Sequence, residues 1–221
     1  MRYLPSARLG LRPACSTNPR LLIPILAWLM LGISSPAHGE SVVLAPVADN
    51  TLIQEGANDR SNGAGEYLFV GKTDTGNIRR LLVRFDVAGS IPPGSTITGA
   101  TLTFFCSRAK VNTADAFELH RALVSWGEAT ANSGGQEGSG TAAVTGDVTW
   151  LYRFYPTLAW GSPGGDMSGT VSASTAVGAN GQSYSWSAPG MTVDLQSWLD
   201  APAGNFGWVL LGGESEASRS A

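Results

Sequence analysis

The sequence predicts an all-β fold, an antiparallel β-sandwich preceded by an N-terminal signal peptide. Short segments in which apolar and polar residues alternate recur along most of the chain, as expected for half-buried strands. Turn clusters rich in glycine and proline separate these segments, and the chain contains 28 glycines. Almost no stretch has the spacing of an amphipathic helix. These three observations together are typical of a sandwich of short antiparallel strands.

Residues 1–39 have the pattern of a secretory signal peptide. They contain four arginines, no acidic residue and an apolar run over 21–33. That run is shorter than the roughly 20 residues needed to span a bilayer. Small residues at Ala37 and Gly39 predict cleavage before Glu40, with cleavage after Ala37 as an alternative and an uncleaved membrane anchor as another. We therefore expect a signal peptide at 1–39, a single sandwich domain at 40–221, secretion to the extracellular space and no membrane span after cleavage.

The charge balance of residues 40–221 excludes some classes of partner. This part has ten basic and seventeen acidic side chains, so its net charge is about −7. A protein that binds nucleic acid or an anionic membrane over a broad surface would be basic, so neither partner is expected. Cys106 is the one cysteine after residue 39, which leaves no intrachain disulfide in the predicted domain.

The stretch 78–106 is the predicted centre of the fold. In its first half, apolar residues at 81, 83 and 85 alternate with Arg80 and Arg84, which predicts a strand with one apolar face and one face bearing two arginines. Its second half alternates again, with the apolar face ending at Cys106. Because a turn cluster of glycines and prolines at 89–94 joins the halves, they are expected to pair as antiparallel neighbours.

Other segments follow the same logic. Strands are predicted at 42–53, 67–71, 116–124, 183–187 and 206–211. Alternating apolar residues over 191–195 predict another strand, closed by one helical turn before Pro202. The stretch 127–146 lacks periodicity and is expected to bury little, whereas 147–160 is rich in aromatic residues.

Several segments of the sequence resemble a known family. The series ADNTLIQE, SNGAGEYLFVGKTDTG, WGSPGGD and FGWVLLGGES lies between Ala48 and Ser215, in the order found in the DNRLRE domain of secreted bacterial proteins, which is grouped with carbohydrate-binding module family 96. The resemblance implies a jelly-roll-like β-sandwich, an extracellular location and, for some members, binding of acidic polysaccharide such as alginate. It does not imply catalysis. The family pattern continues beyond the GWxLLGxES strand, so this domain is expected to lack the last C-terminal strand.

The residues offer little for catalysis. His120 is the one histidine after residue 39, which excludes metal sites that need two or three imidazoles. The motifs HExxH and GxSxG and a phosphate-binding loop are absent. Seventeen acidic residues could supply a hydrolytic pair, but no pair has a local setting that distinguishes it. The protein is therefore expected not to be an enzyme, with a polysaccharide lyase or hydrolase as a disfavoured alternative.

Two groups of residues could bind a polysaccharide. Arg80 and Arg84 lie four residues apart, roughly 13 Å along a strand, close to the spacing of acidic units in an extended glycan. Lys72 and Arg79 extend this basic cluster. The aromatic group comprises Tyr152, Tyr155 and Trp160, which lie near the turns that end their segment. The alternatives are that the arginines pair with neighbouring acids and that the aromatic side chains belong to the core.

The sequence thus predicts a secreted, non-catalytic carbohydrate-binding module for acidic polysaccharide, with a structural or adhesive surface module that binds no glycan as the alternative. No cofactor is expected apart from a structural calcium ion. The calcium ligands would be acidic and amide side chains in loops, since oxygen atoms are the ligands that this ion prefers. The residues of this kind are Asp49, Asn50, Asp147 and Asp166.

Overall fold

The computed structural model describes residues 6–12, 39–110, 113–214 and 219–220, and the fold is an all-β sandwich of antiparallel sheets. The strands in chain order are β1 (Ser6–Arg12), β2 (Glu40–Leu44), β3 (Pro46–Ile53), β4 (Arg60–Ser61), β5 (Gly71–Lys72), β6 (Ile78–Phe85), β7 (Thr96–Cys106), β8 (Asp115–Ala122), β9 (Thr141–Ala142), β10 (Tyr152–Phe154), β11 (Leu158–Ala159), β12 (Met167–Val177), β13 (Gln182–Trp186), β14 (Trp208–Leu211) and β15 (Arg219–Ser220). Two helices, α1 (Val87–Ser90) and α2 (Pro189–Asp200), and a 3₁₀ turn at Pro202–Gly204 complete the described elements.

Two sheets form the sandwich. The smaller sheet has the order β13-β7-β1-β2. The larger sheet runs β12-β8-β14-β6-β3-β4-β9, with β5 joining at β6 and β15 joining at β5. Strands β10 and β11 pair only with each other among the described strands. All of these pairings are antiparallel, as the alternating sequence pattern predicts.

The main core lies between the inner faces of the two sheets. Leu81, Val83 and Phe85 of β6 are buried there, opposite Leu102 and Phe104 of β7. This confirms the buried faces that the alternation predicts. The expected pairing of β6 with β7 is wrong, because β6 belongs to the larger sheet and β7 to the smaller one. The connection over 86–95, which includes α1, is long enough to carry the chain across the core, so the two strands face each other instead of sharing a ladder.

Strand β6 is buried on both faces. Leu81, Leu82 and Val83 all have 0% exposed surface, so Leu82, which points away from the main core, is covered as completely as its neighbours. The cover is a second apolar cluster on the outer face of the larger sheet, formed with Trp126, Trp150 and others. The alternation of polar and apolar residues is therefore interrupted at Leu82. An uninterrupted apolar run, here 81–83, is the sequence pattern of a strand buried on both faces.

The cover comes from residues 125–165, which form an irregular third layer. The expectation that 127–146 buries little is confirmed for most of the stretch, although Gly127, Ala131 and Glu137 are buried. Asp147, with 0% exposed surface, accepts hydrogen bonds from the backbone N–H groups of Ala129 (2.9 Å) and Val144 (2.9 Å). Hydrogen bonds to a buried carboxylate thus replace the missing sheet ladder in holding this segment together.

Helix α2 replaces the strand predicted at 191–195. Met191, Leu195, Trp198 and Leu199 are buried, and their spacing of three and four residues fits one face of a helix. Pro189 lies at the first turn, where its missing N–H costs nothing. The alternation of Met191, Val193 and Leu195 suggested a strand, but Val193 is 66% exposed. Neither of the two helices in the described ranges is long and apolar enough to cross a membrane.

Strand β1 lies within the predicted signal peptide. It pairs antiparallel with β2 on one side and with β7 on the other, and so joins the smaller sheet together.

Strand β12, eleven residues long, was not predicted from its small and polar sequence; it pairs with β8 through a ladder broken by bulges near Val171.

Substitution of Asp147 should destabilise the third layer much more than substitution of the half-buried Asp166. Each carboxylate accepts two backbone N–H bonds, but those at Asp166 come from the exposed residues Gly161 and Ser162. Asp147→Ala removes a carboxylate that has 0% exposed surface, so water does not readily replace the acceptor of the Ala129 and Val144 N–H groups, and the free energy of unfolding should fall by about 3 kcal/mol. Asp166→Ala should cost about 1 kcal/mol, because water replaces the lost acceptor.

Urea denaturation of both variants measures the difference. Similar losses for Asp147→Ala and Asp166→Ala would contradict the assignment of Asp147 as the buried anchor of the third layer.

Candidate functional site

A groove of about 1060 Å³ lies at the end of the sandwich where β6 begins and β7 ends. Its walls come from six parts of the chain: the loop after β3, the segment around β5, the start of β6, the segment after β7, the third layer and the turn between β12 and β13. The lining residues are Glu55, Tyr67, Phe69, Thr73, Thr75, Arg79, Ser107, Arg108, Ala109, Lys110, Gly135, Gln136, Gly138, Ser139 and Asn180.

Two aromatic side chains, Tyr67 and Phe69, line this groove because buried and outward-facing residues alternate over 67–70. Leu68 and Val70 are buried in the main core, and the extended backbone turns Tyr67 and Phe69 the other way, toward the groove. Both rings are half-buried, so part of each remains accessible. The backbone N–H of Phe69 donates to Thr51 Oγ1 (3.0 Å), which fixes the segment against β3.

Glu137 holds the aromatic segment from the third layer. It is 6% exposed, and its carboxylate accepts bonds from the backbone N–H groups of Glu66 (3.2 Å) and Tyr67 (3.0 Å) and from Asn62 Nδ2 (2.9 Å). Its backbone has a φ of +56°, a conformation that L-residues rarely adopt. A buried carboxylate with three donors in a strained position fixes the backbone on which Tyr67 is carried.

Arg79 forms the frame beneath the groove. It is 2% exposed and ion-pairs with Glu55, while its Nε donates to Gly138 O (2.8 Å) and its Nη1 to Gln54 O (2.9 Å). Burial lowers the pKa of the guanidinium, and the Glu55 carboxylate opposes that effect. Since Arg79 lies on β6 and these bonds reach the loop after β3 and the third layer, it joins the walls of the groove.

Two exposed cations stand at the rim. Arg108 donates through Nη1 to the side-chain oxygen of Gln136, and Lys110 ion-pairs with Asp74. In the part of the chain that the structure describes, Arg108 has no carboxylate partner. Its positive charge is therefore matched only by a neutral amide, and it is the groove cation best able to receive an anionic ligand.

The structure gives Arg80 a different setting from the one expected. The outer face of β6, on which it lies, is the covered face. Arg80 forms a bidentate ion pair with Glu214 (2.8 and 2.9 Å), donates to Gly164 O (2.7 Å) and stacks over the ring of Trp150, 5.0 Å from its centroid. The guanidinium is thus fully engaged in anchoring the third layer, as the alternative of pairing with an acid anticipated.

The other basic residues predicted for binding are also scattered. Arg84 is half-buried on the same covered face as Arg80, and its Nε is buried without a hydrogen-bond partner among the described residues. Lys72 is half-buried in β5, beside the groove residue Thr73 but not itself in the lining. Of the four predicted basic residues, the groove contains Arg79, as its buried frame.

The aromatic residues predicted for binding lie in the third layer. Trp160 is 6% exposed and donates its indole N–H to Thr149 O (2.9 Å), so the expectation that it lies at the surface is wrong. Tyr152 and Tyr155 are half-buried and pack edge to face at 5.5 Å. They form a small aromatic surface away from the groove lining.

The residues considered for calcium do not fit that ion. The carboxylates of Asp147 and Asp166 each accept two backbone N–H bonds, and Asn50 Oδ1 accepts the N–H of Thr51 (2.7 Å). Because these N–H groups point at the same oxygens that a cation would need, the oxygens organise loops instead. Within the described ranges, no three acidic, histidine or cysteine side chains converge as metal ligands do.

Asp49 is instead close to Glu128. The backbone N–H of Asp49 donates to the Glu128 carboxylate (3.2 Å), which also lies near the charges of Arg84 and Asp147. Partial burial of the carboxyl group, with the Asp49 charge adding to it, raises the pKa of Glu128 to about 7. Burial also raises the pKa of Asp49. This pair lies outside the groove lining.

Sequence reasoning missed Tyr67, Phe69, Arg108 and Lys110 as a group. The aromatic pair had a local signal, since the alternation over 67–70 predicts one buried and one outward face. The cations had none, because they follow β7 by a few residues and reach the groove only when the sheets assemble. A search against protein-family models, curated proteins and solved structures finds no match to this chain.

The raised pKa of Glu128 predicts a pH-dependent stability that Glu128→Gln should remove. The folded state holds the proton more tightly than the unfolded chain, whose glutamate has a pKa near the ordinary 4.5. The stabilisation is complete below about pH 4.5 and is lost as the pH rises to about 7. Glutamine resembles the protonated acid, so the variant should be more stable at pH 8 by about 1 kcal/mol at most, since the side chain is exposed.

Urea denaturation at pH 4, 6 and 8 tests this, with the exposed Glu66→Gln as the control for loss of charge. A constant difference between Glu128→Gln and the unsubstituted protein at all three pH values would refute the prediction.

Proposed function

We propose that this chain is a secreted, non-catalytic carbohydrate-binding module of the DNRLRE type that holds an acidic polysaccharide in the groove. The observation that supports this most is the presence of two half-buried aromatic rings, Tyr67 and Phe69, beside the exposed Arg108, whose partner among the described residues is the neutral amide of Gln136. Flat rings and a planar cation are the groups that recognise the two parts of an acidic sugar, its apolar face and its carboxylate.

The chemistry of each part follows from ordinary physical rules. Aromatic rings bury the C–H face of a sugar ring over a large apolar area. The guanidinium of Arg108 can meet a carboxylate with two parallel hydrogen bonds, and Lys110 is a second cation of the same lining. The volume of about 1060 Å³ exceeds that of a site for one small ligand, which favours several units of an extended chain.

The acidic groups of the groove favour binding over hydrolysis. Glycoside hydrolysis needs two carboxyl groups on opposite sides of the bond that is cleaved. Among the described residues, the lining includes one carboxylate, that of Glu55, and it is committed to the ion pair with Arg79. Among the residues that the structure describes, the lining thus has groups to hold a glycan and a single carboxylate, which is already paired.

Substitution of the groove residues should weaken binding of acidic glycans. Tyr67→Ala and Arg108→Ala should each reduce affinity for alginate or pectate about tenfold, because a stacking surface or a charge-assisted hydrogen bond is lost. Tyr152→Ala removes a half-buried tyrosine outside the groove and should leave the affinity unchanged. Affinity gel electrophoresis and calorimetry measure these effects, and the affinity should fall as NaCl is added.

A neutral glucan serves as the ligand control, and Tm values of the variants confirm that they fold. Loss of affinity in Tyr152→Ala but not in Tyr67→Ala would move the site to the third layer and contradict the groove. Absence of binding to every glycan would favour the structural or adhesive module.

A further inference from the structure

In the smaller sheet, strand β1 occupies a position that has a neighbouring strand on each side. Strand β1 runs antiparallel to β2 and to β7 at once, so its backbone closes the gap between them. Leu9 is opposite Val42 of β2 and Ala100 of β7, and Ala7 is opposite Leu44 and Leu102. We call this position between β2 and β7 the β1 slot.

The segment that fills the slot lies inside the predicted signal peptide, whose removal before Glu40 would take β1 away. Strand β2 has no other strand partner in the described part of the chain, so all of its ladder would be lost. Strand β7 would keep β13 on one edge and expose the other. Unpaired backbone groups on two facing edges are a strong template for another strand.

The slot is also an apolar position, since the residues at its edges belong to the main core. Leu44 of β2 and Ile97, Ala100 and Leu102 of β7 are all at most 4% exposed with the strand in place. Each is opposite an alternate position of the strand: residues 7, 9 and 11. An occupant therefore needs apolar residues at every second position, which the sequence SARLGLR supplies as alanine, leucine and leucine.

The register sets a further requirement. Opposite β7 the ladder shifts between Gly10 and Leu11, so that Gly10 is opposite Gly99 and Leu11 is opposite Ile97. The bulge places two glycines, Gly10 and Gly99, opposite each other. A small residue is accordingly expected at the fifth position of the occupant, where the backbone bends.

We propose that, once the leader is removed, the β1 slot accepts an extended segment of another polypeptide as a strand antiparallel to β2 and β7. The segment is seven residues long, carries apolar residues at alternate positions and has a small residue at the fifth. This is strand addition with main-chain hydrogen bonds on both edges, which secures affinity, while the alternate apolar side chains give specificity. The slot is separate from the glycan groove, so the two proposals can fail independently.

The test uses the full chain expressed with its leader and collected from the culture medium, with its N-terminus determined by mass spectrometry. The probe is a synthetic peptide of residues 6–12, and the matched control is the same peptide with Leu9→Pro, which removes a backbone N–H at its centre. At a peptide concentration a hundredfold above Kd, the Tm should rise by about 5 °C. Hydrogen exchange should slow at 40–44 and 96–106, and the proline peptide should cause neither change.

Three results would overturn the proposal: an N-terminus that retains residues 6–12, amides of β2 and β7 that are protected before any peptide is added, or a peptide that changes neither Tm nor exchange. If circular dichroism shows that the secreted protein is unfolded, addition of the peptide should restore the β-sheet signal. Failure to restore it would equally contradict the proposed slot. Pectate affinity measured on the same samples reports on the groove alone.

Discussion

The structure depends on the complete burial of β6 from both sides. Leu81 and Val83 close the core between the sheets, and Leu82 closes the second core beneath the third layer. Each apolar side chain of this size contributes roughly 1.5 to 3 kcal/mol when fully buried, a large share of the stability of a domain. Arg79 and Arg80 project from opposite faces of the same strand. Arg79 forms the frame of the groove, and Arg80 anchors the third layer. A single strand thus connects the sandwich, its cover and the candidate site.

The inner faces of the sandwich could be predicted because their physical signal is local. Alternation along a strand reports directly on burial, and the predicted apolar faces of β6 and β7 are buried as expected. Sheet partners are not local in this way. Strands β6 and β7 are close in sequence but lie in different sheets, because a ten-residue connection can either turn back or cross the core. Helix α2 was mistaken for a strand because Met191 and Leu195 satisfy both a period of two and a separation of four residues.

The candidate site was harder to predict than the fold because its parts are distant in sequence. Tyr67, Arg108 and Gln136 meet only after the sheets and the third layer assemble. The two arginines most visible in the sequence, Arg80 and Arg84, lie on a face that looked solvated because its cover comes from residues distant in sequence, chiefly the aromatic-rich stretch 147–160. An arginine on a strand that is buried on both faces is therefore as consistent with a role in anchoring a covering layer as with a ligand site. Leu82, which shares the face of Arg80 and Arg84, was the local sign that this face is covered.

The buried contacts of Glu137 have a consequence for how such a module can diversify. One wall of the groove, 135–139, belongs to an irregular segment and not to a strand, yet Glu137 and Arg79 fix it to the sandwich. The other residues of this wall, Gly135, Gln136 and Ser139, lie beside these anchor points in no strand and can change without altering any sheet register. Under the proposed function, ligand preference and fold stability would consequently be encoded in separate sets of residues, and exchange of the short loop sequence would offer a route to new selectivity on an unchanged scaffold.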